Sequence, residues 1–184
     1  DPIDAGSGNN VVLGGLGKDT ITTLEDRDVI LGDQGKVTLL TSGVATRIES
    51  TDPSRGGDDV IASGAGADVV LGGFGGDQVT GAAGDDLLLG DSGAVTQAES
   101  GALQSIQTIA RDKGGEDTLL GNDVDDLILG GTGKDTIQSH AGNDRIIGDQ
   151  GQVEFANGLV GLIETTDGDP AETGDDQIDA GNGS

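Results

Sequence analysis

The sequence has no cysteine, methionine, tryptophan or tyrosine, and its only aromatic residues are Phe74 and Phe155. Without cysteine there are neither disulfides nor thiolate metal sites, so stability outside a cell has to come from another source. Without large aromatics the core has to be thin and built from Val, Ile, Leu and Ala. Positive charge is equally scarce: 9 Lys and Arg stand against 34 Asp and Glu, a formal net charge of −25. That sign argues against a nucleic-acid partner, because neutralising phosphate needs clustered Lys and Arg. No apolar run approaches the length of a membrane-spanning helix and no basic-then-apolar leader opens the chain, so no membrane insertion is expected. Both ends, "DPIDAG" and "DAGNGS", fall in mid-pattern, as expected of a piece of a longer protein.

Glycine, by contrast, is abundant, with 36 residues, and it is ordered. "LGDQGKVT" begins at 31, "LGDSGAVT" at 89 and "IGDQGQVE" at 147, a long period of 58 that "GGLGKDTIT", "GGFGGDQVT" and "GGTGKDTIQ" at 14, 72 and 130 share. Within each unit runs a period of nine. Asp59, Asp68, Asp77 and Asp86 are followed two residues later by Ile61, Val70, Val79 and Leu88, and Asp117, Asp126, Asp135 and Asp144 by Leu119, Ile128, Ile137 and Ile146. The first copy reads Asp1, Asn10, Asp19 and Asp28, and the last begins at Asp176 with Ile178.

Nine is not a helical period, and glycine at this density costs a helix about 1 kcal/mol per residue. Two or three extended residues after each aspartate can form a short strand with the aliphatic inward, while glycine allows the positive φ that reverses the chain within six residues. Each nonapeptide is then half a coil, and eighteen residues make a whole one. The expected fold is all-β: a solenoid of two parallel sheets with turns along both edges, made of three tandem 58-residue units.

Aspartates eighteen apart then lie one above another: Asp1 with Asp19, Asn10 with Asp28, Asp59 with Asp77, Asp68 with Asp86, Asp117 with Asp135, Asp126 with Asp144. Two carboxylates about 4 Å apart repel by about 4 kcal/mol at an effective dielectric of 20. A divalent cation reverses the sign. Calcium suits best, because it takes six to eight oxygens in flexible geometry and glycine turns offer carbonyls beside the carboxylates; magnesium wants a tight octahedron, and transition metals favour the His and Cys that are almost missing. The candidate metal set is those aspartates and Asn10, Asp176, and the turn glycines Gly15 and Gly17, Gly64 and Gly66, Gly73 and Gly75, Gly131 and Gly133. Asp33, Asp91 and Asp149, each in a "GDxG" turn, are either turn formers or additional calcium ligands.

The pattern G-G-x-G-x-D-x-U-x, with U a large aliphatic, is strict at Gly14, Gly15, Gly17 and Asp19, at Gly72, Gly73, Gly75 and Asp77, and at Gly130, Gly131, Gly133 and Asp135. It resembles the repeats-in-toxin (RTX) family of hemolysin-type calcium-binding repeats. The resemblance implies a parallel β-roll that binds several calcium ions between coils, in bacterial proteins exported by type I secretion and folded outside the cell. The expected role is a calcium-rigidified structural module, a spacer or exposed repeat of a large extracellular adhesin or surface protein, because an exact long period with its own insertion looks like an array. The alternative is an accessory roll that assists secretion and folding of an enzyme or toxin. No active site is expected: glycine turns without a following helix do not cradle phosphate, and of the pairs Asp58-Asp59, Asp85-Asp86 and Asp125-Asp126 one member is expected on metal and the other in water. His140, at a turn, is expected at the surface.

Departures carry their own expectations. Asp26 and Val124 stand where the motif wants its third glycine, so those turns should be poorer sites. The blocks 1–33, 56–91, 114–149 and 174–184 are separated by segments 34–55, 92–113 and 150–173, which read as inserted β-hairpins, most clearly at Asn157-Gly158. Residues flanking the inward aliphatics are polar on one sheet, such as Thr20, Gln78 and Thr136. On the other they form an apolar stripe: Val11, Leu13, Val29, Leu31, Val69, Leu71, Leu87, Leu89, Leu127 and Leu129. The hairpins, through Val37, Leu39 and Ile48, Val95 and Ile106, and Val153, Phe155 and Ile163, are expected to cover that stripe as a third layer; self-association through it is the alternative.

Overall fold

The computed structural model describes residues 1–166 and 174–182; residues 167–173 of the third inserted segment and 183–184 of the last block lie outside the described residues. Among the described residues every regular element is a strand, in three sheets numbered here in chain order. The first is parallel, in the order β1 (Pro2–Gly6), β3 (Thr20–Thr23), β7 (Val60–Ala62), β9 (Gln78–Thr80), β13 (Thr118–Leu120), β15 (Thr136–Gln138) and β19 (Gln177–Asp179). The second, also parallel, runs β2 (Val11–Leu13), β4 (Val29–Leu31), β8 (Val69–Gly73), β10 (Leu87–Asp91), β14 (Leu127–Leu129) and β16 (Arg145–Ile147).

These two sheets are the walls of a β-roll. Between them lie the inward aliphatics of the nonapeptides, among them Ile21, Ile30, Ile61, Val70, Val79, Leu88, Leu119, Ile128 and Ile137, all fully buried, while Ile178 of the last one is exposed. Coils eighteen residues apart pair directly, Ile61 with Val79 and Val70 with Leu88. Coils separated by an insertion pair just as directly: Ile21 lies beside Ile61, Ile30 beside Val70 and Leu88 beside Ile128. The roll therefore continues through the insertions, and its sheets are shared by the 58-residue units.

The inserted segments form hairpins: β5 (Gly35–Leu39) with β6 (Ala45–Ser50), β11 (Gly93–Gln97) with β12 (Leu103–Thr108), and β17 (Gly151–Ala156) with β18 (Leu159–Thr165). Asn157 and Gly158 both have positive φ, 54° and 77°, which a two-residue hairpin turn matching the strand twist demands. The hairpins also pair with each other, β6 with β11 and β12 with β17, giving one six-stranded antiparallel sheet. This sheet lies on the second roll sheet and closes an outer core in which Leu31, Leu71, Leu89 and Leu129 meet Ile48, Val95, Ile106 and Val153. Leu71 and Leu89 are 1% and 0% exposed, so the apolar stripe is covered within the chain.

The cover is incomplete at the ends. Val11 and Leu13 on β2 are each 40% exposed, and Leu39 and Ile163, expected inside, are 48% and 47% exposed. The chain path explains this. The first insertion leaves the roll only after β4, with Gly35 packed against Leu31, so among the described residues no hairpin strand lies over β2, and Ile163 sits on β18, the edge strand of the described hairpin sheet.

Candidate metal centre

Each nonapeptide aspartate stands at the end of a turn, immediately before its strand, so the two edges of the roll carry two columns. On the edge leading into the first sheet, the Asp19 N–H donates to Asp59 Oδ1 (2.7 Å), Asp59 to Asp77 (2.7 Å), Asp77 to Asp117 (2.7 Å), Asp117 to Asp135 (2.8 Å) and Asp135 to Asp176 (2.9 Å). On the other edge Asn10 donates to Asp28 (2.7 Å), Asp28 to Asp68 (2.8 Å), Asp68 to Asp86 (2.9 Å), Asp86 to Asp126 (2.9 Å) and Asp126 to Asp144 (2.9 Å). Each accepting carboxylate thus commits one oxygen to the amide of a neighbouring coil, while Asp19 at the start of its column faces the α-ammonium of Asp1.

The other oxygen is the informative one. In Asp19, Asp28, Asp59, Asp68, Asp77, Asp117, Asp135 and Asp144, Oδ2 is buried with no hydrogen-bond partner. An unsatisfied buried carboxylate oxygen is costly, and a column of them more so. Five of them, all on the first edge, lie against a glycine: Asp19 against Gly14, Asp59 against Gly32, Asp77 against Gly72, Asp117 against Gly90 and Asp135 against Gly130. A Cβ on Gly72 would strike both Asp77 Oδ2 and Gly90 O; one on Gly32 would strike Asp59 Oδ2 and Gly72 O; one on Gly130 would strike Asp135 Oδ2 and Gly148 O. An unpartnered carboxylate oxygen and a carbonyl oxygen from the adjacent coil therefore meet in a pocket that only glycine leaves open. Among the described residues no three His, Asp or Glu side chains converge on one point, so the donor set is mixed, carboxylate plus carbonyl, which is what a hard cation with flexible coordination accepts.

Burial and neighbouring like charge drive the carboxyls upward. Burial first, and then other aspartates nearby, raise Asp59 to about 6, Asp135 to about 7, Asp77 and Asp86 to about 8 and Asp117 to about 10, all from a usual value of 3.8. Asp68 and Asp126 are also raised by burial. The adjacent acids behave differently: Asp58, Asp85 and Asp125 are exposed while Asp59, Asp86 and Asp126 are buried. Asp58 pairs with Lys18 (3.3 Å), and the backbone N–H of Gly76 is the main cause that holds its carboxyl below the usual range.

The remaining candidates fall in several places. The side chain of Asp1 is exposed, and its α-ammonium lies 3.0 Å from Asp19 Oδ1. Asn10 is half-buried, its amide donating to Gly6 O (3.1 Å) and Gly8 O (2.7 Å), so the carbonyls of its own turn already have a donor. Asp176 is half-buried at the end of the first column and lies against Gly148. In the strict turns Gly15 and Gly17, Gly73 and Gly75, and Gly131 and Gly133 all have positive φ, as do Gly64 and Gly66. At Gly75 this conformation comes with a backbone approach to Gly57 O that excludes any Cβ. Asp26, in a third-glycine position, reaches φ 76° itself, a conformation aspartate tolerates; Val124 does not. His140 is exposed at φ 67°.

The residues left Asp33 and Asp91 as either turn formers or additional calcium ligands, and the structure gives them a definite place. The insertions are spliced into turns of the first edge. Asp33 Oδ1 accepts from the Gly57 N–H (3.2 Å), drawing together the two ends of the first insertion, and Oδ2 accepts from the Phe74 N–H of the next turn. Asp91 does the same with Gly115 (3.2 Å) and Thr132. Burial is the main cause that pushes them to about 7 and about 9. Asp149 occupies the same sequence position at the third insertion and is half-buried.

The profile of the RTX calcium-binding nonapeptide repeat matches the chain in four copies, at residues 4–39, 55–79, 63–96 and 120–152. Neither a curated protein nor a solved structure matches the chain.

Proposed function

Because the chain belongs to the RTX calcium-binding nonapeptide repeat family, whose repeats are structural modules that bind several calcium ions, we propose that its two aspartate columns are the calcium-binding surfaces and that ion binding is what closes the roll. The observation that carries this reading is the set of eight buried, unpartnered Asp Oδ2 atoms, five of which, on the first edge, face gaps that only glycine leaves open. Bound calcium supplies the positive charge that these oxygens lack. The residues assigned to it are Asp19, Asp59, Asp77, Asp117, Asp135 and Asp176 on one edge and Asp28, Asp68 and Asp144 on the other, with the carbonyls of the turn glycines; Asp86 and Asp126 stand in the same column but accept from Asn122. Asp33 and Asp91 hold the split turns in shape so that Asp59 and Asp117 arrive in column.

The module is read as extracellular, because RTX repeats occur in secreted bacterial proteins, and as a spacer or exposed repeat of a large surface protein. Continuity of the roll and of the hairpin sheet through three sequence units supports that reading: each unit adds coils and one hairpin to structures that extend in one direction. Extracellular calcium modules bind at about 10⁻⁴ to 10⁻³ M, and a site that exists only in the folded state makes binding energy folding energy. Circular dichroism at neutral pH during a calcium titration tests this. A disordered chain in chelator that gains β signal in the millimolar range is expected; an unchanged β spectrum after complete metal removal would overturn it.

A further inference from the structure

One gap in the roll is already filled by the protein. In the turn 121–126 the second-glycine position holds Asn122, whose side-chain amide reaches back toward the preceding turn, 81–86, on the same edge. Its Nδ2 lies 2.7 Å from Gly84 O, 3.2 Å from Asp86 Oδ2 and 3.3 Å from Asp126 Oδ1, and its backbone N–H donates to Asp126 Oδ2 (2.8 Å). Asn122 Oδ1 accepts from the Val124 N–H (3.0 Å), which fixes the orientation of the amide and shapes the turn without a glycine at 124. Asp86 and Asp126, both buried, do not appear among the carboxylates with an orphaned Oδ2, unlike eight of the other nonapeptide aspartates.

We infer that the amide of Asn122 takes the place of a cation between the turns 81–86 and 121–126, so that this rung of the roll is closed by hydrogen bonds and binds no calcium. The inference rests on the calcium reading above. An NH₂ group in this position meets one carbonyl and two carboxylate oxygens, the kinds of donor that the other gaps present, and satisfies them with partial rather than full positive charge. A cation seated against Asp86 Oδ2 would have to displace that nitrogen from three acceptors, which together hold it between the two turns.

The test is the position and count of ions in the intact chain. Crystals grown in calcium, with anomalous scattering used to locate the ions, should show ions between other successive turns and none touching Asp86 Oδ2. Native mass spectrometry of the Asn122→Gly/Val124→Gly double variant, which restores both motif glycines, should count one calcium more than the wild type. An ion between Asp86 and Asp126 in the wild type overturns the inference, and so does a folded double variant with an unchanged count. No ion anywhere in the wild type overturns the calcium reading and this inference together. If the double variant does not fold, the wild-type map alone decides.

Discussion

The molecule has two aliphatic cores that share one wall, and they are held in different ways. The outer core lies between the second roll sheet and the hairpin sheet, with Leu71, Leu89, Ile48, Val95, Ile106 and Val153 fully buried and antiparallel pairing closing the outer layer. It needs no ligand. The inner core has equally well buried aliphatics, one per half-coil, but it is flanked on both edges by columns of carboxylates, eight of which have a second oxygen with no partner. The unpartnered carboxylate oxygens thus lie in the turns rather than in the sheets. The outer core still cannot survive alone: its floor is a roll sheet, and when the turns of the roll open that floor is lost.

The largest effect expected from this contrast is a reversal of pH dependence on removing calcium. In the calcium-free folded chain the carboxyls of Asp59, Asp135, Asp77, Asp86 and Asp117 hold their protons up to about 6, 7, 8, 8 and 10, against 3.8 for an ordinary aspartate. Folding then takes up protons, so this contribution is fully present below about pH 4 and is lost as pH rises through the interval from about 6 to about 10. In chelator, β signal should be stronger near pH 4 than at pH 8; in millimolar calcium it should be stronger at pH 8, because the ion needs ionised carboxylates. A chelated protein more stable at pH 8 than at pH 4 would contradict the placement of these groups.

Next in size is damage to the outer core. Leu89→Ala, at a position 0% exposed, should cost about 2–5 kcal/mol by thermal or urea unfolding in saturating calcium. Leu13→Ala, in the same stripe but 40% exposed, should cost about 0.5 kcal/mol or less. Similar losses in the two variants would mean that the hairpin sheet is not what buries the stripe. A smaller effect is expected at the turns: Asp77→Ala removes a carboxylate between two others in its column and should raise the calcium midpoint of folding by about tenfold, about 1.4 kcal/mol. Asp112→Ala, whose exposed side chain pairs only with Lys113 among the described residues, should leave it unchanged. Equal midpoints would break the distinction between column and surface aspartates.

Much of this was legible in the residues. The interval of eighteen between Asp59 and Asp77 places both in one column, and the aliphatic two residues on places Ile61 and Val79 in one core, because strand side chains alternate with a period of two. The interval of forty between Asp19 and Asp59, or Asp77 and Asp117, was not legible as a neighbour relation. The residues mark 34–55 as an insertion between nonapeptide blocks, but nothing local shows that its two ends meet in one turn. That becomes apparent only when Asp33 is seen bonded to Gly57. The hairpins could be read singly from turn chemistry, but not their edge-to-edge pairing, which depends on the spacing of the coils beneath them. Asn122 is the sharpest case: in the sequence it is a lost glycine, and only the proximity of Gly84 and Asp86, 38 and 36 residues away, turns it into a donor.

The sequence by itself determined the repeat: which residues turn, which face inward, which carry negative charge into the edges, and hence the need for a hard cation. These are properties of one nonapeptide multiplied, and periodicity expresses them without reference to anything distant. The tertiary structure alone decided which oxygens end up partnered. Whether a given carboxylate meets an amide, a carbonyl or nothing depends on the coil stacked above it, and that coil can be 18 or 40 residues away. Identical residues such as Leu13, over which no described hairpin strand lies, and Leu89, beneath the hairpin sheet, are left partly in water or buried completely.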